Sequence, residues 1–262
     1  MPVPDLPLLE QAAQEAGEIA LRFWRQSPEA WDKGGGAGPV SEADLAVNAH
    51  LESLLRGARP GYGWLSEETP DGPERQDARH CFIIDPIDGT RAFLDGQEGF
   101  SISLAVATGT QITAAVVHLP ARRMTYTAQA QGPALLNGQP IRPVEHDLDG
   151  ASVLTGKPSL APGFWRGRVP PMRREFRSSL AWRLCLVAEG AFHSALSTRL
   201  CWEWDIAAGS LIAERAGCQV SDLAGHALQF NSPRAMTEGI VVAPPGLHGQ
   251  VLAALGPEPG HA

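Results

Sequence analysis

The stretch IIDPIDGTRAF, residues 83–93, runs an apolar segment directly into two carboxylates, Asp85 and Asp88. Pro86 lies between them, and because proline fixes its own φ and restricts the residue before it, both carboxylates can face one small volume. The Ile87 carbonyl is a third oxygen in the same place. Mg²⁺ prefers oxygen ligands of this kind and leaves room for water and phosphate beside one or two carboxylates. The stretch therefore predicts a divalent-cation site at the end of a strand.

Gly89 and Thr90 follow the second carboxylate. A glycine lets the backbone approach a ligand closely, and successive free N–H groups at a turn or helix start can bind an anion. The sequence thus predicts a phosphate held between these N–H groups and a metal ion. The same letters also suit a simple turn, since Asp, Pro and Gly are common turn formers. The prediction therefore depends on further ligands of the same type.

Two other acidic positions supply such ligands. Glu67 and Glu68 close the short predicted strand WLSEE, and Asp205 opens the predicted helix WDIAAG. Asp205 could equally be a helix cap, and the glutamates could be solvated surface. A helix N-terminus, however, adds partial positive charge where phosphate would bind. Three acidic clusters and one anion-binding turn together favour a metal-dependent phosphate site.

The first half of the chain combines predicted helices with predicted hairpins. Apolar residues recur at three- and four-residue steps over 8–24, which predicts an amphipathic helix. A second helix is predicted after Ser41 and Asp44, which occupy capping-box positions. FSISLAVAT and QITAAVVHLP predict an antiparallel strand pair, and LNGQP is typical of a tight hairpin.

After residue 147 the pattern changes to a mixture of strands and helices. SVLTG, CQVSD and GIVVAP predict strands, while SSLAWRLCLVAEGA and WDIAAGSLIAERAG predict helices closed by Gly190 and Gly217. We therefore predict two packed subdomains, an α+β unit over 1–147 that carries the metal site and an α/β unit over 148–262 that closes it.

Composition and charge exclude several function classes. The 21 basic and 29 acidic side chains give a net charge of −8 at neutral pH, which argues against nucleic acid as a partner. The N-terminus carries acids where a signal peptide would carry bases, and no apolar run approaches the ~18 residues of a membrane span. The four cysteines lack C-x-x-C spacing, which predicts buried thiols in a reducing compartment. We therefore expect a cytoplasmic protein without an integral membrane segment.

The segments WLSEE, IIDPIDGT and WDIAAG, in this order and at these separations, resemble the inositol monophosphatase superfamily of magnesium-dependent, lithium-sensitive phosphomonoesterases. PVSEADLAVN and SSLAWRLCLVAEGA extend the resemblance over most of the chain. It implies a layered α-β-α-β-α sandwich of the inositol monophosphatase and fructose-1,6-bisphosphatase type, with the metals between the two subdomains. It also implies a monomer or homodimer that hydrolyses a small-molecule phosphate ester.

The resemblance implies a role for each acid of the motifs. Glu67, Asp85 and the Ile87 carbonyl would hold a first Mg²⁺, and Asp85, Asp88 and Asp205 would hold a second. A cluster of two or three Mg²⁺ ions would lower the pKa of a bound water, clamp the phosphoryl oxygens and support the leaving group.

The resemblance also implies the groups that handle water and phosphate. Asp44 would pair with the Thr90 hydroxyl to orient and deprotonate the attacking water, so that Asp44, Thr90 and Glu67 form the catalytic set. Gly89 and Thr90 would present backbone N–H groups to the phosphate. Glu68 would not be a direct metal ligand.

Different branches of the superfamily act on different substrates, and the sequence resembles more than one branch. WLSEE and EWDIAAG look most like the branch that removes the 3'-phosphate of adenosine 3',5'-bisphosphate, which is the first prediction. Inositol-1-monophosphatase, histidinol-phosphate phosphatase and a regulatory protein-binding member with secondary catalysis are alternatives. Arg199 and Arg183 are candidate substrate-binding residues, because arginine suits a second phosphate. Both could also be ordinary surface cations.

Overall fold

The structure is a computed structural model that describes residues 4–34 and 38–256. Its helices are α1 Asp5–Phe23, α2 Glu42–Ala58, α3 Thr90–Leu94, α4 Leu180–Ala188, α5 Glu203–Ala216 and α6 Pro245–Ala254. Its strands are β1 Ala30–Asp32, β2 Pro39–Ser41, β3 Gly63–Ser66, β4 His80–Asp88, β5 Ser101–Thr108, β6 Gln111–Leu119, β7 Met124–Gln129, β8 Leu135–Leu136, β9 Gln139–Pro140, β10 Ser152–Thr155, β11 Arg173–Glu175, β12 Ser194–Trp202, β13 Gln219–Ser221 and β14 Met236–Ala243.

The first large sheet has seven strands in the order β3-β4-β5-β6-β7-β8-β9. β3 runs parallel to β4, whereas all later neighbours are antiparallel. The predicted strand pair is confirmed as β5 and β6. The predicted hairpin is confirmed between β8 and β9, where Asn137 and Gly138 have φ of 48° and 78°, as a tight two-residue turn requires.

The second large sheet has five strands in the order β11-β10-β12-β14-β13. β10 is parallel to β11 and β12, while β14 is antiparallel to β12 and β13. The sequence predicts β10, β13 and β14 but misses β12. The pairing of β12 with β14 shifts register between Ser197 and Leu200. This bulge breaks the alternation of apolar and polar residues by which a strand is recognised.

Five layers result from this arrangement. α1 and α2 cover one face of the seven-stranded sheet, α4 and α5 lie between the two sheets, and α6 covers the outer face of the five-stranded sheet. Alternate residues of β4 enter two different cores: Phe82 and Ile84 face α1 and α2, whereas Cys81 and Ile83 face α4 and α5. Full burial of large apolar side chains contributes roughly 1.5–3 kcal/mol each. The predicted α-β-α-β-α sandwich is confirmed.

Helix α5 belongs to the second half of the chain but packs against β5, β6 and β7 of the first sheet. Its close contact with α4 requires Gly209, since a Cβ there would lie 2.9 Å from the Leu184 side chain and 3.0 Å from the Ala181 carbonyl. The two sheets fall on either side of residue 147, yet one core joins them. The division into 1–147 and 148–262 therefore stays a prediction.

The helices and the cysteines of the structure bear on two predictions made from composition. Among the helices of the described ranges, none combines the length and the apolar character needed to cross a membrane. Cys81, Cys185, Cys201 and Cys218 are buried and free, as predicted.

Candidate active site

The strand that carries the DPID stretch, β4, ends at Asp88, so that both carboxylates of the motif belong to it. Its pairing with β5 changes register between Asp85, opposite Ser103, and Asp88, opposite Ser101. Because such an irregularity breaks the alternation of side chains, it can direct both carboxylates to one side of the sheet. Asp205, in the first turn of α5, meets them there: one oxygen from each of the three acids lies within 4.8 Å of the others. The three form a single cluster.

The cluster is largely shielded from water, with Asp85 at 1% and Asp88 at 6% exposure. Burial and the neighbouring carboxylates raise the pKa of Asp85 and of Asp205 well above the usual value. Burial also raises the pKa of Asp88 to about 6, although the hydrogen bonds that its carboxylate accepts lower the pKa. Ionised carboxylates this close repel one another unless a cation lies between them. An all-carboxylate donor set of this kind fits Mg²⁺.

Asp88 also connects the two halves of the chain. Its carboxylate accepts hydrogen bonds from Ser179 Oγ and the Ala181 N–H, both at 2.7 Å, and from the Leu180 N–H at 3.1 Å. These donors form the N-terminus of α4, whose partial positive charge stabilises an anion. No local pattern predicts the contact, because Ser179 lies 91 positions along the chain from Asp88.

Asp44 combines the two roles that the sequence left open. Its Oδ2 accepts hydrogen bonds from the Ser41 N–H at 2.9 Å and from Ser41 Oγ at 2.6 Å, which completes the capping box of α2. Its Oδ1 lies 3.3 Å from the Thr90 hydroxyl, which is also 3.1 Å from the Ile87 carbonyl. Burial raises the pKa of Asp44 to about 6. Capping and the contact with Thr90 therefore use different oxygens of one carboxylate.

Glu67 does not join the three clustered acids. Instead, Lys33 Nζ lies 2.8 Å from Glu67 and 2.6 Å from Glu68. Burial lowers the pKa of Lys33, but the two carboxylates raise it by more. The pKa of Lys33 is therefore above its usual value. Burial raises the pKa of Glu68 to about 7. The charge of Glu67 still contributes to the raised pKa of Asp85, so Glu67 lies at the border of the cluster. Its ion-pair partner there is the Lys33 ammonium.

Gly89 joins β4 to α3 in a conformation that favours glycine, with φ of 96°. A Cβ at this position would lie 3.1 Å from the Ser179 nitrogen and 3.2 Å from the Gly99 carbonyl oxygen. The close approach of three backbone segments thus explains the glycine of the DGT motif. Thr90 then begins α3, so its N–H has no acceptor within that helix.

One pocket of about 480 Å³ contains most of these groups. Its charged lining consists of Glu67, Asp85, Asp88, Asp205, Arg91, Arg183 and Arg199. The structure thus brings both predicted substrate arginines to the same pocket as the acids. A larger pocket, of about 740 Å³ against α6, is lined by none of the predicted site residues.

The sequence profile described as "Inositol monophosphatase family" matches residues 4–258 of this chain. The chain belongs to the inositol monophosphatase family. Because the match spans both large sheets, the family assignment covers the whole described fold.

Relatives of this inositol monophosphatase family member carry different names. It is 34% identical over 230 residues to a protein of Mesorhizobium japonicum named Inositol-1-monophosphatase, which covers 84% of this chain and 86% of the relative. It is 32% identical over 234 residues to a protein of Haemophilus influenzae named Nus factor SuhB. This match covers 84% of this chain and 85% of the relative. A solved structure of an IMPase from Thermotoga maritima superposes with a TM-score of 0.80 at 25% identity, covering 95% of this chain and 94% of that one.

Sequence reasoning missed several residues of the pocket and its surroundings, among them Lys33, Arg91 and Phe176. Lys33 had an available signal, because it is one of only two lysines in a chain whose other basic residues are arginines. Arg91 directly follows the DGT motif. Its position beside the predicted phosphate-binding turn was a signal that could have identified it. Phe176 had no signal, since its partner Arg183 lies on the next helix.

Proposed function

We propose that this protein hydrolyses a small phosphate monoester with the help of bound Mg²⁺. One observation carries the proposal: the three-carboxylate cluster borders the same pocket as Thr90, which contacts the buried Asp44. A protein that only bound phosphate would need cations in this pocket. It would not need a buried acid directed at a hydroxyl, so the pair favours hydrolysis.

The acids of the pocket would hold the metal. Asp85, Asp88 and Asp205 are the central ligands in this proposal, and Glu67 and the Ile87 carbonyl are the remaining ones. Bound Mg²⁺ would supply positive charge that neutralises the phosphoryl oxygens, lowers the pKa of a water and stabilises the leaving oxygen. Whether two or three ions bind stays a prediction.

Asp44 is the proposed proton acceptor. Its pKa, raised to about 6 by burial, lies close to neutral pH, where a general base is most effective. Ser41 fixes one carboxylate oxygen and leaves the other facing the Thr90 hydroxyl. In this proposal Thr90 orients the attacking water and Asp44 takes its proton. Water is the proposed nucleophile, and the burial of all four cysteines fits direct attack by water.

The backbone at Gly89 and Thr90 would bind the phosphate. The left-handed Gly89 brings the start of α3 to the pocket, and both residues line it. The first N–H groups of a helix have no intrahelical acceptor and favour anions. The phosphate would therefore lie between these N–H groups and the acid cluster.

The names of the relatives favour one of the substrate alternatives over the first prediction. The Mesorhizobium japonicum relative is named Inositol-1-monophosphatase, and neither relative described above is named a bisphosphate nucleotidase. We therefore propose inositol 1-phosphate as the first substrate to test. Adenosine 3',5'-bisphosphate, the first prediction from sequence, and histidinol phosphate follow as alternatives.

Regulation through a protein partner is a second candidate function. The name Nus factor SuhB of the Haemophilus influenzae relative favours it. The retention of every proposed ligand and of the Asp44–Thr90 contact counts against regulation as the sole function. The choice between monomer and homodimer stays a prediction.

Release of inorganic phosphate tests the proposal. The purified protein would be incubated at neutral pH with each ester, with fructose 1,6-bisphosphate added to the panel, in Mg²⁺, in EDTA, and in Mg²⁺ with Li⁺. We expect release in Mg²⁺, none in EDTA, and inhibition by Li⁺. Failure to hydrolyse any ester while Mg²⁺ binding is detected by calorimetry would overturn the proposal and favour the regulatory candidate.

A further inference from the structure

The acid cluster is assembled from both halves of the chain. Asp85 and Asp88 lie at the end of β4, whereas Asp205 lies in the first turn of α5. The spacing of the three carboxylates therefore depends on where α5 begins relative to β4. One contact between the halves is direct: Ser103, which pairs with Asp85 in the sheet, donates from its Oγ to the Trp204 carbonyl at 3.1 Å. This contact fixes the residue before Asp205 from one side.

Glu203 fixes the same turn from another side. Its side chain is fully buried, and its Oε2 and Oε1 accept the Asn231 N–H at 2.5 Å and the Ser232 N–H at 2.9 Å. Its own N–H donates to the Ala235 carbonyl at 2.9 Å. Both carboxylate oxygens and one N–H thus hold the start of α5 against the loop 231–235. The position of Asp205, two residues further on, follows from that turn.

Arg75 holds this loop to the first half of the chain. Its Nη1 donates to Asn231 Oδ1 at 2.7 Å and its Nη2 to the Ser232 carbonyl at 2.8 Å. Its Nε and Nη2 also donate to the two carboxylate oxygens of Asp71, at 2.6 Å and 2.8 Å, which fixes the orientation of the guanidinium. Glu203 and Arg75 therefore bind the same two loop residues, Glu203 through their N–H groups and Arg75 through a side-chain oxygen and a carbonyl.

The backbone of Arg75 is fixed in turn against the first sheet. A Cβ at Gly63, the first residue of β3, would lie 2.9 Å from the Arg75 Cβ, so the turn Pro73–Gln76 packs closely on this strand. β3 is the parallel neighbour of β4, and Gly63 lies opposite Cys81. A continuous series of contacts thus joins β4 to the start of α5.

Stability alone does not account for these contacts. Burying a carboxylate and a guanidinium costs free energy, and replacing buried charged groups by apolar ones of similar volume is often neutral or stabilising. The loop also contains two non-glycine residues with positive φ, Asn231 at 56° and Ala235 at 51°, a conformation that is uncommon outside glycine. Strained backbone of this kind persists where the surrounding structure determines it, and it is often found at functional sites. The contacts therefore favour a role in placing the start of α5.

We propose that Glu203 and Arg75 are positioning residues, which set the location of Asp205 relative to the acids of β4 and thereby the affinity of the pocket for Mg²⁺. This proposal rests on the proposed function, since it takes the three clustered acids as the metal ligands. Neither Glu203 nor Arg75 is among the residues that line the active-site pocket, so both act through Asp205. Substituting residues that orient a metal ligand commonly lowers metal affinity or activity by roughly ten- to a hundredfold.

Glu203→Gln is the first test. Glutamine keeps the size of the side chain, but its amide group places a donor where a carboxylate oxygen accepts an N–H. Titration calorimetry with Mg²⁺ should give a dissociation constant roughly tenfold higher than that of the wild type. The Mg²⁺ concentration for half-maximal phosphate release from inositol 1-phosphate should rise by a similar factor. kcat at saturating Mg²⁺ should change little, because all three ligands are still present.

Arg75→Gln should weaken Mg²⁺ binding in the same direction. Because Arg75 and Glu203 act on the same two loop residues, the double variant should lose less affinity for Mg²⁺ than the two single effects combined.

Asn231→Gly is a milder variant that tests the proposal even where the others fail to fold. Glycine keeps the left-handed conformation and the N–H that Glu203 accepts, and it removes only the side-chain amide that contacts Arg75. Mg²⁺ binding should weaken in the same direction by a smaller factor.

Tyr126→Phe is the matched control. It also removes a buried hydrogen bond, from Tyr126 Oη to Glu189 at 2.9 Å, between residues that do not line the active-site pocket. In EDTA, the Tm of this variant should fall, as that of Glu203→Gln should. Its affinity for Mg²⁺ should stay at the wild-type value, which a purely structural role of Glu203 would also predict for Glu203→Gln.

The outcomes separate this proposal from the proposed function. Wild-type affinity for Mg²⁺ in folded Glu203→Gln, or in Asn231→Gly where Glu203→Gln does not fold, would overturn the positioning role and leave the phosphatase proposal standing. An equal loss of affinity in Tyr126→Phe would also overturn it, because general loosening of the fold would then explain the effect. Strictly additive effects of Glu203→Gln and Arg75→Gln would show that the two residues do not act through one loop. Absence of Mg²⁺ binding and of phosphate release in the wild type would overturn the proposed function itself.

Discussion

The acidic residues that line the active-site pocket, its acid end, and two of the arginines that line it are held in opposite ways. At the acid end, Asp85 and Asp88 are buried, and Asp88 is fixed by three hydrogen bonds from the start of a helix. Arg91 and Arg199, by contrast, are exposed and have no ion-pair partner among the described residues. Rigid, buried ligands suit a metal ion, whereas exposed side chains can adjust to a ligand. The comparison teaches that the proposed metal ligands are fixed by the fold, whereas Arg91 and Arg199 are not fixed by ion pairs within the described residues.

The largest expected effect is at the acid end. Asp88→Asn should lower kcat by roughly a thousandfold or more, because it removes charge from the metal site where the transition state is stabilised. The amide oxygen can keep the bonds from Ser179 and Ala181, so the fold should survive. Steady-state phosphate release and circular dichroism would be measured together. Asp149→Asn, at an exposed aspartate outside the pocket, is the control and should behave as wild type. Full activity in Asp88→Asn would remove the cluster from the mechanism.

Thr90→Val should have the next largest effect. Valine keeps the shape of threonine but loses the hydroxyl that contacts Asp44 at 3.3 Å. Positioned acid–base groups contribute roughly a hundredfold or more, so kcat should fall by about that factor while Mg²⁺ affinity changes little. Thr110→Val, at an exposed threonine in the β5–β6 turn, is the control. An unchanged kcat would show that Asp44 and Thr90 have only the capping and packing roles.

Lys33→Met should affect metal binding more than chemistry. The Lys33 ammonium is an internal cation paired with Glu67 and Glu68, so bound metal must compete with its charge. Its removal should tighten Mg²⁺ binding by about five- to tenfold, an interaction of the size expected for charges a few ångströms apart in a partly solvated site. Titration calorimetry with Mg²⁺ would measure it, with the exposed Lys157→Met as control. Weaker binding in Lys33→Met would mean that the lysine helps to assemble the metal site.

The smallest effect concerns stability and pH. Burial raises the pKa of Glu68 to about 7 and those of Asp44 and Asp88 to about 6, above the values near 4 expected for unfolded chains. Groups of this kind stabilise the fold fully below their unfolded pKa, and the contribution is lost as pH rises through the folded pKa. In EDTA, Tm should therefore fall between pH 5 and pH 8. Saturating Mg²⁺ should reduce or reverse the fall, because metal binds the ionised acids. A Tm in EDTA that rises over this range would contradict the assignment.

The acid end could be predicted from sequence, and the arginines of the pocket only in part. Asp85 and Asp88 are close in the chain, and proline between them restricts the geometry, so local spacing carries the information. The resemblance of these motifs to the inositol monophosphatase superfamily implied the five layers, whereas the pattern of strands and helices predicted only two packed subdomains. The Lys33–Glu67 pair joins residues 34 positions apart, and the bulge of β12 hides a strand, so neither leaves a periodic signal. Long-range contacts between polar groups were missed because the periodicity of apolar residues shows which face of an element is buried. It does not show which polar residues contact one another.

The central claim is that Asp85, Asp88 and Asp205 bind the catalytic metal beside the phosphate. The most direct measurement is anomalous diffraction from crystals soaked in Mn²⁺ and phosphate, with Mn²⁺ as a visible substitute for Mg²⁺. The account predicts at least one anomalous peak coordinated by all or most of the three carboxylates, with phosphate between it and the N–H groups of Gly89 and Thr90. Ordered crystals with no peak at these acids, or with Mn²⁺ bound only elsewhere, would contradict it.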